Sequence, residues 1–291
     1  MPPGVTRTSC TRNTLGSMRT VALAGTRLSS SRLGFGLSGL HRVLRSRDRL
    51  ALLAAAHHSG ITYFDASPYY GHGIAEQELG RFAGGRRSDL LIATKFGIQA
   101  DPWLNRFPTL MYARLGAGAS IRRVMRREPP AVKTQRDYSG SNAVKSLERS
   151  LRALRTDHVD ILFLHEPTLA LLNDAERLLD SLRGLQASGK VRYFGLSGGV
   201  RDCLDITRAY PHLGTLLQID AAQGAGELQL LRKSALAFQS SFGHFRGRRA
   251  PIAGLLGAAV GMNPHGVILF STRIQQHVRA MVEALSAVDA A

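Results

Sequence analysis

The chain has 291 residues, 44% hydrophobic and 20% charged, which is enough apolar material for one large α/β domain and argues against wholesale disorder. No apolar run reaches the roughly 18 residues of a membrane span, and the two cysteines, Cys10 and Cys203, give neither a disulfide framework nor a zinc spacing, so a reducing cytoplasm is the expected setting, without membrane or metal. The formal charge of +17 comes from 38 basic residues, five of them Lys, scattered along the chain rather than gathered in one aromatic-interleaved patch, so nucleic acid is not the expected partner.

Residues 1–18 hold Arg7 and Arg12, several Ser and Thr, and no acid; the first acidic residue is Asp48. The segment shows no amphipathic period and reads as a disordered tail, either a transit-like leader or an over-extended start ahead of Met18. Residues 19–291 read as a single domain. Apolar runs at 33–37, 61–65, 90–95, 158–165, 192–197, 215–219 and 265–271 predict strands, with 234–239 as an eighth candidate. Helices fall between them. Val144, Leu147, Leu151 and Leu154 share one helical stripe. Leu178, Leu179, Leu182 and Leu185 share another, with Gly189 behind it as a C-terminal cap, and Ile274, Val278, Met281 and Leu285 form the last. Repeated strand-then-helix units predict a parallel sheet, here an α/β (β/α)8 TIM barrel with an irregular C-terminal part over 221–262. Residues 98–140 are too long for an ordinary connection. They carry eight basic and three acidic residues and are predicted to hang over the mouth of the barrel as an insertion.

Gly34, Gly36 and Gly39 match G-x-G-x-x-G. A dinucleotide fingerprint needs an apolar strand before the first Gly and an acid about 20 residues on. Here Ser29–Arg32 reads as a turn, and the nearest strand-end acid, Asp65, lies 31 residues past Gly34. The glycines are therefore assigned to a first barrel strand that lets a cofactor lie close to the backbone.

Polar residues end or follow three successive predicted strands: Asp65, with Tyr70 in the loop behind it, then Lys95, then His165. In a parallel barrel these ends face one mouth, where active sites are built. A charge at the end of a buried strand is costly unless paired, and Asp65 and Lys95 can pair with each other.

Phe64-Asp65-Ala66-Ser67-Pro68-Tyr69-Tyr70-Gly71, followed by Glu76 and Leu79-Gly80, resembles the signature of the aldo-keto reductases. Ala93-Thr94-Lys95, Ser146-Leu147-Glu148 with Ser150-Leu151, Asp157 with Asp160, Leu164-His165 and Gly189–Ser197 are similar to later segments of the same family. The resemblance implies a nicotinamide-dependent oxidoreductase acting on an aldehyde, ketone or aldose. It implies Tyr70 as general acid, Lys95 as the cation that lowers the Tyr70 pKa, Asp65 as the group holding Lys95, and His165 as the donor that orients the substrate carbonyl. It further implies Ser197 and Gln218 on the nicotinamide carboxamide, Phe238 as an aromatic face against the ring, and Ser271 with Arg273 at a phosphate. Gly198 stands where the family usually has Asn, and Gln276 where it usually has Arg. The phosphate pair favours NADP(H) over NAD(H), although the departure at Gln276 leaves the choice open. The competing class is a non-catalytic barrel that binds nucleotide and acts as a regulatory or interaction subunit. The set Asp65, Tyr70, Lys95 and His165 favours the enzyme.

Overall fold

The computed structural model describes residues 18–101, 135–222, 226–227, 229–230, 238–247 and 250–290. The expected tail before Met18 and most of the expected insertion, 102–134, lie outside the described residues.

Eight parallel strands close into a barrel: β3 (Leu33–Gly36), β4 (Tyr63–Asp65), β5 (Leu91–Phe96), β6 (Val159–His165), β7 (Val191–Gly198), β8 (Leu217–Asp220), β9 (Ser240–Phe242) and β10 (Val267–Phe270), with β10 pairing back onto β3. This is the (β/α)8 architecture expected from the sequence. Seven α-helices are described around it: α1 (Ser46–His58), α2 (Ile74–Ala83), α3 (Gly140–Leu154), α4 (Ala175–Ala187), α5 (Val200–Ala209), α6 (Ile252–Met262) and α7 (Gln275–Asp289). Ahead of the barrel, β1 (Thr20–Ala22) and β2 (Ser29–Ser31) form an antiparallel hairpin, so Ser29–Ser31 is a strand rather than the expected turn.

Alternation along the strands separates two cores. Tyr63, Leu91, Ala93, Ile161, Phe163, Val267 and Leu269 fill the barrel interior, together with Val21, Leu23 and Leu28 of the hairpin region, which plugs its floor. The intervening residues, among them Phe64, Ile92, Leu162, Leu164, Leu196 and Ile268, face the sheath of helices. Period-two alternation with both faces buried is what a closed parallel barrel requires.

The helices form where the sequence supplies caps and stripes. The Ser139 side chain accepts from the Asn142 backbone N–H at 3.2 Å to start α3, which ends at Arg155 in the left-handed region (φ 54°). The buried stripe of α3 runs through Ala143, Leu147, Leu151 and Leu154, while Val144, expected on that stripe, is exposed. Asp174 caps α4 in the same way, and Gly189 takes a positive φ behind it. Ile274 stands before α7 as its exposed N-cap rather than within the helical stripe.

The strand expected as the eighth candidate, at 234–239, is found at Ser240–Phe242 and is the seventh of the barrel in chain order; residues 234–237 lie outside the described residues. Its residues are Ser-Ser-Phe, so its burial does not rest on an apolar run.

Candidate active site

The inward rows of the strands predict where the polar groups fall. Tyr63 leads to Asp65, Leu91 and Ala93 to Lys95, Ile161 and Phe163 to His165, Tyr193 and Gly195 to Ser197, and Leu216 to Gln218. In each row the last inward position before the mouth carries the polar residue. All five are buried.

They form one connected chain. The Lys95 ammonium pairs with Asp65 Oδ1 and reaches the Ala66 carbonyl oxygen at 3.3 Å. Asp65 Oδ1 also accepts from Gln218 Nε2 at 3.0 Å, and Gln218 Oε1 accepts from Ser197 Oγ at 2.6 Å. Tyr70, half-buried, packs beside this chain with its ring centroid 5.1 Å from Lys95 Nζ. The His165 ring meets the Tyr70 ring edge-on at 5.6 Å, and its Nδ1 lies 3.4 Å from Ser67 Oγ. The four residues expected to act together are brought together.

The electrostatics differ from expectation at Tyr70. Burial, then the negative charges of Asp65 and Glu166, push the phenol well above its ordinary value, against the opposing pull of Arg246. The expected depression by Lys95 does not appear: burial of the phenol sets the direction, and burial disfavours the charge of Lys95 as well. Tyr70 is thus held as a neutral phenol, a proton carrier. Burial, then Lys95 and Arg136, push His165 well below the ordinary imidazole range, so it is neutral and one ring nitrogen keeps a proton to donate. Burial lowers Lys95 itself, against the opposing pull of Asp65.

A cavity of about 450 Å³ opens over these groups. Gly36 and Ser271 form one side of it, with Ser271 Oγ donating to the Gly36 carbonyl oxygen at 2.7 Å. Arg136, Glu166, Arg246, Phe242 and Phe245 also line it, and none of these was singled out from the sequence as a site residue. Phe238 does not line it. Phe238 stands two residues before β9, toward the end opposite the mouth, and packs against the helix-facing core. The misplacement follows from the strand. Once β9 is set at 240–242, the inward row ends at Phe242. Arg273 is exposed ahead of α7 and outside the cavity lining. Among the described residues no cluster of His, Cys, Asp and Glu is arranged to hold a metal, and no helix is long and apolar enough to cross a membrane.

Residues 32–212 match the model of the Aldo/keto reductase family. The chain is 30% identical to L-galactose dehydrogenase of Arabidopsis thaliana over 184 residues, 61% of this chain and 47% of that protein. It is 29% identical to D-threo-aldose 1-dehydrogenase of a Pseudomonas species over 219 residues, 74% of this chain and 62% of that protein. The matched region thus spans about half to three fifths of those relatives. Among solved structures, an aldo-keto reductase from Bacillus halodurans superimposes with a TM-score of 0.69 at 18% identity, covering 92% of this chain and 91% of that one; this likeness concerns the fold.

Proposed function

The chain belongs to the aldo/keto reductase family, and on that basis we propose that it is an NAD(P)H-dependent oxidoreductase of an aldehyde, ketone or aldose. The observation that carries this reading is the connected set Lys95–Asp65–Gln218–Ser197, with Tyr70 and His165 over it, at the floor of a cavity of useful size.

The cavity wall suits a nicotinamide. A buried hydroxyl and a buried amide, Ser197 and Gln218, lie side by side on it, where they can hold a carboxamide. Gly36 leaves the opposite wall without a side chain: a Cβ there would come within 2.7 Å of Ser271 Oγ. Phe242 or Phe245, rather than Phe238, supplies the aromatic face. A bound nicotinamide supplies or accepts the hydride. The protein's own groups handle the proton and the orientation. His165, neutral, donates to the carbonyl oxygen. Tyr70, a protonated phenol, gives its proton to that same oxygen as charge develops there. Lys95 and Asp65 fix the place of the Tyr70 ring, and Gln218 ties the cofactor side of the site to Asp65.

NADP(H) is the preferred partner. The N-terminus of α7 has no side-chain cap, and Arg273 is exposed just ahead of it, an arrangement suited to a 2′-phosphate. The cytoplasm remains the proposed location on cysteine usage.

The test is a panel of aldehydes, ketones and aldoses with NADPH, NADH and their oxidised forms, followed by nicotinamide absorbance. Tyr70→Phe should retain cofactor binding and lose about 10²- to 10⁴-fold in kcat. A protein that binds nicotinamide but turns over nothing in the panel, or a Tyr70→Phe variant as fast as the parent, sinks the reading.

A further inference from the structure

β5 and β6 run side by side only as far as Phe96 opposite Leu164. At Gly97 the chain turns away, with φ +111°. Its next residues pair instead with the return of the long connection: Asp137 N–H donates to the Gly97 carbonyl oxygen at 2.9 Å and Gln99 N–H to the Gln135 carbonyl oxygen at 3.0 Å, around the Ile98–Arg136 bridge. β6 continues to His165 on its own. On its other side Glu166 N–H still donates to the Ser197 carbonyl oxygen at 2.7 Å. Successive residues of a strand direct their backbone groups to alternate sides, so the His165 carbonyl faces the side that β5 has left. In register, residue 98 would have been its donor.

A buried carbonyl does not stay unpaired without cost. The partner is a side chain. Tyr138 Oη donates to the His165 carbonyl oxygen at 2.6 Å, with the Glu166 carbonyl oxygen at 2.9 Å sharing the proton. The Tyr138 ring, itself buried, lies flush on Gly97, where a Cβ would come within 2.1 Å of it. Glu166 is held in the left-handed region (φ 50°), and Arg136 donates to its carbonyl oxygen at 2.5 Å and to its carboxylate at 3.0 Å. Among the described residues the His165 imidazole has edge-on ring contacts with Tyr70 and Tyr69 and one long polar contact, 3.4 Å to Ser67 Oγ, so the short hydrogen bonds that place this residue are made by its backbone.

We infer that Tyr138 is a positioning residue: its hydroxyl replaces the missing ladder donor at His165 and fixes the free end of β6, and thereby the imidazole, against the cavity. This rests on the proposed carbonyl chemistry for its kinetic consequence but not for its structural one. Burial pushes the Tyr138 phenol up to about 12, so it remains a donor throughout the working range.

The test is Tyr138→Phe, which keeps the ring on Gly97 and removes the donor, read in two ways. By residue-resolved amide exchange, the Glu166 N–H should exchange about ten-fold faster, with the amides of Phe194 and Leu196 unchanged. In steady state, kcat/KM for the best carbonyl substrate should fall about ten-fold while NADPH affinity stays within about two-fold. In a His165→Ala background the same substitution should cost nothing further, because Tyr138 acts through His165. Equal losses in both backgrounds, an unchanged Glu166 exchange rate, or a Tyr138→Phe protein that no longer folds would each overturn the inference. Absence of turnover in the parent protein would fall on the proposed function instead, and the exchange measurement would still decide the role of Tyr138.

Discussion

From β3 to β7 the buried charged side chains, Glu76 apart, are paired with opposite charges: Lys95 with Asp65, Arg49 with Glu78, and Asp160 with Arg87 and Arg192, its Oδ2 also accepting from the Ile92 N–H at 2.8 Å. From β8 to β10 the buried polar groups are mostly neutral. Gln239 accepts from Leu217 N–H at 2.7 Å, the Ser241 hydroxyl contacts His244 Nε2 at 2.8 Å and accepts from Asn263 Nδ2 at 3.1 Å, and Asn263 accepts from Gly266 N–H at 2.9 Å. Arg32 stands at the seam, buried, donating to the carbonyl oxygens of Asn263 and Gly266, with no carboxylate in direct contact among the described residues; burial pulls it down to about 10. The early half buries ions because each is met by a placed counter-charge, Lys95 and Asp160 on strands of six and seven residues and Asp65 on one of three. The late half has strands of three or four residues and uses amides and hydroxyls, whose loss strands no charge.

The sharpest way to break that contrast is to remove one polar partner from each half. Asp65→Ala leaves Lys95 buried without a counter-ion and should cost about 3–5 kcal/mol. Asn263→Ala leaves a neutral donor and acceptor set short of a partner and should cost about 1–3 kcal/mol. Urea unfolding of both variants measures the difference. Equal costs would mean that the two halves are not held by different chemistry.

Glu76, on α2 in the early half, is buried with no cation in direct contact among the described residues, and its Oε1 accepts from Thr94 Oγ1 at 2.6 Å. Burial raises it to about 7 from 4.5. The native state therefore keeps this proton over a range in which the unfolded state has released it. Stability is fullest below 4.5 for this group and declines as pH rises toward about 7, by about 3 kcal/mol in all. Glu76→Gln keeps an acceptor for Thr94 and removes the titration. Unfolding free energies at acid and at mildly alkaline pH should converge in the variant relative to the parent. A parent and variant with parallel pH profiles would show that Glu76 does not titrate in this way.

The contrast also explains what could be read from the sequence. Asp65, Lys95 and His165 each close an apolar run long enough to reveal its period, so their place at the mouth followed from strand ends alone, whereas Ser197 and Gln218 came only from the family resemblance. β9 has no such run. Ser240-Ser241-Phe242 is buried by closure of the barrel rather than by its own composition, and the aromatic assignment slipped to Phe238. Ser29–Ser31 read as a turn for the same reason: a Ser-rich strand in a hairpin carries no hydrophobic signature. Arg136, Tyr138 and Glu166 come from loops at the mouth, and nothing local marks an arginine or a tyrosine as the partner of a strand-end carbonyl 27 to 30 residues away. The lowering of the Tyr70 pKa by Lys95 failed because a sequence shows which charges are near, but not how deeply they and the phenol are buried.

Glycine gives the mildest test of the two halves. In the early half Gly80 lets α2 lie against α3: a Cβ there would come within 2.3 Å of the Ala153 carbonyl oxygen and 2.7 Å of the Leu154 carbonyl carbon, which are backbone and cannot swing aside. Gly80→Ala should therefore destabilise by about 1–3 kcal/mol through overpacking, despite the better helix propensity of Ala. In the late half, α6 carries Gly254 and Gly257 in a helix whose described face is largely solvent-accessible. Among the described residues a Cβ at Gly254 meets nothing within 4 Å, and one at Gly257 meets only Val288 Cγ2 at 4.0 Å, an ordinary contact. Neither has a left-handed backbone that would strain Ala. Each Gly→Ala change removes unfolded-state freedom without a clash and should stabilise by about 0.5–1 kcal/mol. The sign is the discriminating result: thermal unfolding midpoints should fall for Gly80→Ala and rise for Gly254→Ala and Gly257→Ala. A fall at either α6 position would mean that this helix is packed as tightly as α2.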